Sequence, residues 1–560
     1  MKLATKNIKW FVLLVLVVAG FFVYFNSLPN KLFWDDDDGI TNNIYIKDWS
    51  YFPKYFSENL IAGAGQVSNY WRPFTLLSLA IDYHLFGLTP AGYHFDNLLW
   101  HILAAWLIYL LFYKLSKRHW LSFWPAFIFL IHPLQTEAVT YVSGRADPMA
   151  AVFVLLSLLT YVIYRQKKNK LFIGLSLLSF LGALLSKEQS IMLPALIFII
   201  EFLFFFDKRK WRESLVLFLP FALISVGYFL ARIFFLNFND LLAGVDYVSS
   251  YDNSLKTRLL TFTYVFIKFL ALLFAPFNLH MAYEVTPVTS FFSWSVGVFV
   301  LAAAAFTYVI KKYWTKDKLL VFGLVWFLVM LLPRTNIISI NRPLYEHWLY
   351  LPMAGFWLAI ILLMEKIKIN KKIIFISLSI LSLYFIILTI RRNFDWRDPV
   401  TFYEKNLSYT PNSFIQRNNL GMAYSDAGRT DEAIKEYKTA ISIADIYPQV
   451  HYNLANTLVS TNKMNEAEAE YYKALKIDPG FSLPYTNLIK LAILTKDEVK
   501  LQTVLAKMKV NFSEEYYLNQ AFYSYYYFGD DAKAKEIGLK LIDKYPSNSS
   551  EVGLLMLNIR

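Results

Sequence analysis

Cysteine is absent from all 560 residues, so no disulfide and no thiolate metal site exists, and redox chemistry gives no reading of the compartment. The signatures of soluble catalysts are missing too: there is no P-loop, no G-x-G-x-x-G, no H-E-x-x-H and no G-x-S-x-G. Charged residues are scarce at 17%, while hydrophobic residues reach 56%, aromatics 18% and mean hydropathy +0.38. That balance is too apolar for a soluble protein and predicts a polytopic membrane protein with a second part attached. A net charge of +13 raises nucleic acid as a partner, but residues 397–560 hold 19 Lys/Arg and 20 Asp/Glu, leaving 36 against 22 in residues 1–396. Of those 36, 22 sit in the amino-terminal tail (Lys2, Lys6, Lys9) and in short loops at 114–118, 165–170, 208–212, 311–318 and 366–372, where the positive-inside rule puts cytoplasmic connections. No nucleic-acid partner is implied.

The apolar run 10–25 reads as a retained signal-anchor with its amino terminus inside, because no small-residue cleavage site follows it. Further runs recur at about 97–113, 121–142, 148–164, 171–186, 190–206, 213–236, 291–310, 319–333, 345–364 and 373–390, each near bilayer length, which makes eleven spans. The run 258–277 carries Arg258 and Lys268, and as a crossing helix it would put Lys311 to Lys318 outside. It is therefore expected to be an interfacial or re-entrant helix within an outer loop, 237–290. The fold class is thus all-α, with a membrane domain at 1–396 whose first outer loop is 26–96. Only Arg391 and Arg392 fall on the wrong side for the charge rule.

Past residue 398 hydropathy falls and a 34-residue period begins. Asn419-Leu420-Gly421 is echoed by Asn453-Leu454-Ala455, Ala433 by Ala467, and Tyr437 by Tyr471, a tetratricopeptide pattern of paired helices. Residues 397–560 are expected to hold about four repeats: 416–449 and 450–483, then two degenerate ones at 484–516 and 517–550. Such solenoids bind extended polypeptide or dock partners.

Chemistry must then use groups at the outer membrane face. The eleven-span topology gathers Asp35 to Asp38, Arg72, His132, Glu137, Arg145, Asp147, Lys187, Glu188, Arg342, Glu346 and His347 there, and ionisable groups at span ends are costly enough to mark function. Some have ordinary structural uses: Asp147-Pro148 suits a helix start, Ser186 to Gln189 has capping-box spacing, and His132-Pro133 kinks a span. Glu137 lies in an apolar segment and needs a cation, for which Arg145 is the nearest candidate. An outward carboxylate cluster beside several cations suits sugar transfer from a lipid phosphate, an aspartate taking the acceptor hydroxyl's proton while Arg, Lys and His meet the leaving phosphate.

These residues carry a resemblance. Trp34-Asp35-Asp36, Trp71-Arg72-Pro73-Phe74-Thr75, Phe86 to His94, His132 to Val139, Gly144-Arg145-Ala146-Asp147 and Ser186-Lys187-Glu188-Gln189, with the repeats behind them, resemble the transmembrane and tetratricopeptide repeat O-mannosyltransferases of the GT-C glycosyltransferase class. The resemblance implies a GT-C fold, an extracytoplasmic site, a polyprenyl-phosphate sugar, most plausibly mannose, as donor, and an acceptor polypeptide presented by the repeats. It makes Asp35 the catalytic base and Asp36 its companion, and puts Arg72, Glu137, Arg145, Asp147, Lys187 and Glu188 at motif positions near the donor. It implies no metal cofactor. Where the family often has Glu-Arg, this chain has Glu346-His347; either Arg342 compensates or phosphate stabilisation differs. The alternatives are transfer to a cell-surface glycan or lipid, and a non-catalytic membrane-anchored repeat scaffold.

Overall fold

The computed structural model describes residues 2–207, 209, 211–234, 254–281, 283–337, 342–367 and 369–557; residues 237–253 of the expected outer loop lie outside these. Every regular element among the described residues is helical. The chain divides into two compact units, 1–405 and 406–560. The division falls past residue 397 because Phe402 packs 4.5 Å from Trp396 and 5.3 Å from Phe33, which holds the helix Pro399–Leu407 to the first unit through most of its length.

In the first unit, eight helices among the described residues are long and apolar enough to cross a membrane: Asn7–Ser27, Pro90–Ser116, Val142–Lys167, Glu188–Phe205, Trp211–Phe234, Leu255–Phe274, Trp294–Tyr313 and Lys371–Asp395. Four further apolar helices are shorter, α1 (His119–Ile131), α2 (Lys170–Ser186), α3 (Lys318–Leu331) and α4 (Pro352–Lys366). Two were expected to be longer. The run 121–142 stops at Ile131, because His132 before a proline takes extended backbone. The chain then folds into short turns at Pro133–Gln135, Thr136–Val139 and Val142–Arg145. The run 345–364 likewise turns at Glu346–Leu349 before α4 begins.

Ion pairs mark the two ends of this unit. At one end Arg118 meets Glu365 at 2.5 Å, Lys366 meets Asp317 at 2.8 Å and Lys168 meets Glu213 at 2.5 Å, so the basic connections converge. The connections at 132–147, 187–188 and 334–347 converge at the other, as shown below. The helix Leu255–Phe274 has crossing length, but both its ends touch this second set: Arg258 donates to the carbonyl of Asn336 at 2.9 Å, and Leu273 O lies 3.1 Å from His132 Nε2. Those contacts favour a helix laid along one end of the bundle, and they meet the cost of Arg258 with backbone carbonyls.

Helices α3 and α4 approach at Gly323 and Gly355, where a methyl added to Gly355 would lie 2.7 Å from both Gly323 O and Trp326 Cβ. Close backbone contact through small residues is how apolar helices associate without a hydrophobic driving force. It also fixes the start of α4, and with it the turn carrying Glu346 and His347.

The second unit stacks four helix pairs, Phe414–Asp426 with Thr430–Ile443, Pro448–Ser460 with Met464–Ile477, Ser482–Thr495 with Glu498–Asn511, and Glu514–Phe528 with Asp531–Lys544. Ala433, Tyr437 and Ala440 are buried, as are Ala467, Tyr471 and Ala474 one period later. The repeated small residues let the helices close on the tyrosine rings.

Gly355→Ala is expected to destabilise the full chain by about 1–3 kcal/mol, since backbone and a buried indole must both move. Gly174→Ala, whose methyl meets nothing within 4 Å, is expected to be neutral or slightly stabilising. Melting temperatures in detergent check both; equal shifts would refute the close-packing account.

Candidate active site

The acidic run begins on a strained residue. Trp34 has φ of +64°, a left-handed conformation that a bulky side chain adopts only where packing holds it. Here its indole stacks on Tyr141 at 5.2 Å, which stacks on Trp396 at 5.3 Å. The two aspartates that follow part ways. Asp36 is buried, and its Oδ1 accepts from the Ser143 amide at 2.8 Å and the Ser143 hydroxyl at 2.6 Å. Burial pushes its carboxyl up to about 7, with the Ser143 donors opposing. Asp35 is exposed. Protein crowding around it raises its carboxyl above the ordinary value; the Tyr141 hydroxyl and Arg72 pull the other way and Asp38 adds to the rise.

Beside this corner lies a layer of paired charges. Arg72, preceding the helix Pro73–Phe86, grips Glu188 with Nε at 3.2 Å and Nη2 at 2.9 Å and lies 4.3 Å from the Tyr70 ring. Arg232 approaches the same carboxylate at 3.7 Å. Lys187 donates to Asp147 at 2.6 Å, and burial draws its ammonium down to about 8 against the pull of that partner. Asp147, Lys187, His347, Trp348 and Tyr350 line a small pocket. Among the described residues no three His, Asp or Glu side chains converge on one point as metal ligands.

Glu137 finds its partner elsewhere than Arg145. Its Oε2 accepts from the His347 amide at 2.9 Å and its Oε1 lies 2.8 Å from His347 Nδ1. Burial lowers His347 well below the ordinary imidazole range, with Lys187 adding to it; a neutral ring carrying its proton on Nδ1 fits the contact with the carboxylate. Arg145 instead lies fully buried, 2.5 Å from Asp82 and 3.2 Å from Asp96, and donates to Asn97 Oδ1, Ser78 Oγ and Tyr93 O. The competing carboxylates are one turn or more inside neighbouring helices, where spacing along the chain does not point to them. Glu346, fully buried, accepts from the Tyr283 hydroxyl at 3.0 Å and lies 3.4 Å from Arg392. Burial raises the carboxyls of both Glu137 and Glu346.

Two expected residues stand apart. His132 is fully buried, holds Leu273 O and the Leu134 amide, and has its ring 4.2 Å from Phe385; these contacts brace the turn. Arg342 is half-buried and follows residues 338–341, which lie outside the described set. Two cations went unanticipated. Arg392, which the expected topology put on the wrong side for the charge rule together with Arg391, has carboxylate partners in Glu346 and Asp395. Arg334 is buried, lies 4.3 Å from the Trp348 ring, and feels the charges of Asp147, Glu188 and Arg72. Nothing in its own stretch, Leu332-Pro333-Arg334, marked it.

Repeat models match the second unit: a "TPR repeat" at residues 421–461 and a "Tetratricopeptide repeat" at 448–481. Among curated proteins, the chain is similar to the Protein O-mannosyl-transferase F38B6.6 of Caenorhabditis elegans, with 28% identity over 456 residues, covering 78% of this chain and 63% of the relative. Protein O-mannosyl-transferase TMTC3 of Homo sapiens is 25% identical over 531 residues, 85% of this chain and 56% of the relative. TMTC4 of Mus musculus is 26% identical over 504 residues, 75% of this chain and 65% of the relative. The chain therefore spans less than two thirds of the length of each of these relatives. With repeats behind a helical membrane unit and these relatives matched along most of its length, the chain matches the family of transmembrane and tetratricopeptide repeat O-mannosyltransferases.

Proposed function

We propose that this chain transfers a sugar, mannose in the reading its relatives' names support, from a polyprenyl-phosphate donor to a hydroxyl of an acceptor protein, with inversion at the anomeric carbon. One observation carries the proposal: of two adjacent aspartates, one is tied down inside the protein and the other is held open beside a cationic layer. Asp35 takes the proton of the acceptor hydroxyl as that oxygen bonds to C1 of the sugar. The bond from C1 to the phosphate oxygen breaks, and the phosphate leaves with the electron pair. Arg72 and Lys187 are the groups that meet the charge developing on it. Asp36 positions its neighbour through Ser143, and the buried Arg145, Glu137 and His347 hold the loops on which these groups stand. The basic connections gather at the end of the bundle opposite the site, which supports a cytoplasmic assignment for them and an extracytoplasmic one for the chemistry. The repeats present the acceptor polypeptide.

Asp35→Asn is expected to lower transfer by about 10²–10⁴-fold with little change in melting temperature, because this carboxylate is open rather than packed. Membrane vesicles given labelled polyprenyl-phosphate mannose and a Ser/Thr-rich peptide provide the assay, and undiminished transfer would sink the proposal.

The pH profile offers a separate check. A base works when ionised, and raising its pKa moves the loss of activity to higher pH. The acidic limb of the wild-type profile should therefore have its midpoint above the ordinary aspartate value of about 3.9. A rate that stays flat down to that pH would contradict the raised carboxyl.

A further inference from the structure

The cations of the site differ in how much of their bonding capacity the protein already uses. Arg72 is engaged by Glu188, Lys187 by Asp147, Arg392 by Glu346 and Asp395, and Arg145 by Asp82 and Asp96. His347 is turned to Glu137. Among the described residues Arg334 has no such ion pair. It is 7% exposed, its Nε and Nη2 are buried with no hydrogen-bond partner among the described residues, and its plane is held by the Trp348 ring. Two unmatched guanidinium donors are expensive in an apolar surrounding, and Trp348 also lines the pocket that holds Asp147 and Lys187. The two nitrogens share one edge of the guanidinium, the edge with which Arg72 grips Glu188, and that edge matches two oxygens of a phosphate.

Resting on the lipid-phosphate reading above, we propose that Arg334, stacked on Trp348, is a further residue that grips the donor's phosphate, alongside Arg72 and Lys187. Two oxygens of the phosphate take the Nε–H and Nη2–H bonds. Burial draws the guanidinium down to about 9, which leaves it charged at neutral pH. The grip survives cleavage of the sugar bond, so it holds the departing polyprenyl phosphate as well as the donor.

The test is equilibrium binding to the purified full chain in detergent, titrated by calorimetry with farnesyl phosphate, farnesol and inorganic phosphate. Wild-type protein is expected to prefer farnesyl phosphate over farnesol by at least about tenfold. Arg334→Gln should abolish that preference while leaving farnesol binding unchanged, and Arg334→Lys, a point charge without the paired donors, should keep only part of it. If Arg334→Gln keeps the full preference, Arg334 does not hold the phosphate, though the donor reading stands. If the wild type itself shows no preference, the donor reading falls and this inference with it. Inorganic phosphate binding as tightly as farnesyl phosphate would make this a free-phosphate site and overturn the assignment to a lipid. Should Arg334→Gln not fold, Arg334→Lys decides, since wild-type affinity in that variant would refute the two-donor grip.

Discussion

A charge carried into an apolar helical bundle has to meet an opposite charge or aligned donors, and the active end of this protein is organised by that requirement. Removing one member of a buried pair typically costs about 3–5 kcal/mol, more than most single packing contacts contribute. The pairs here join segments far apart in sequence: Arg72 with Glu188, Arg145 with Asp82, Glu137 with His347, and Glu346 with Arg392. Each therefore acts as a clamp between connections that the helices alone leave loose. The three short turns between His132 and Arg145 have few backbone bonds of their own, and it is Glu137 and Arg145 that dock them.

The same requirement explains what sequence could and could not foretell. Helices announce themselves by length and hydropathy, and repeats by a 34-residue period of small residues and aromatics, so the architecture was legible. The acidic corner stood out because four carboxylates after a span are rare. Partner choice was not legible. Arg145 is eight residues from Glu137, but its carboxylates are Asp82 and Asp96, brought in by other helices. Arg392 was visible only as a charge in the wrong place, a usable signal whose meaning, a counter-ion for Glu346, needed the fold. Arg334 gave no signal, because a single arginine at the end of an apolar run is indistinguishable in sequence from a snorkelling one. The span 121–142 was overread for a related reason: hydropathy reports burial, and the turns beyond His132 are buried in protein rather than in lipid, where irregular backbone is tolerated only inside a protein or along a cavity.

Asp35 and Asp36 show how one motif divides its labour. Four acidic residues in a row carry no internal distinction, yet the backbone separates them at Trp34, whose left-handed turn is held by the stack of Tyr141 and Trp396. Asp36 is driven inward to Ser143, on the turn that also carries Arg145. The acidic corner and the Arg145 clamp are thus one mechanical unit, and a shift in either moves Asp35. Strain at Trp34 of order 1–3 kcal/mol is held by that packing, in a turn where Asp35 is exposed and feels the Tyr141 hydroxyl and Arg72.

On the proposed function, that balance bears on catalysis. Had Asp35 folded onto Arg72, the pair would satisfy itself, the proposed base would be weakened and the guanidinium would be lost to the proposed donor's phosphate. Instead Glu188 occupies Arg72 and Asp147 occupies Lys187, so these two cations are matched without recruiting Asp35. Under the proposed lipid-phosphate donor, Arg72 and Lys187, already matched, have limited charge to offer its phosphate, and the deficit would be made up by a cation without a carboxylate of its own. Arg334, stacked on an indole rather than paired, is the side chain in this cluster that meets the condition.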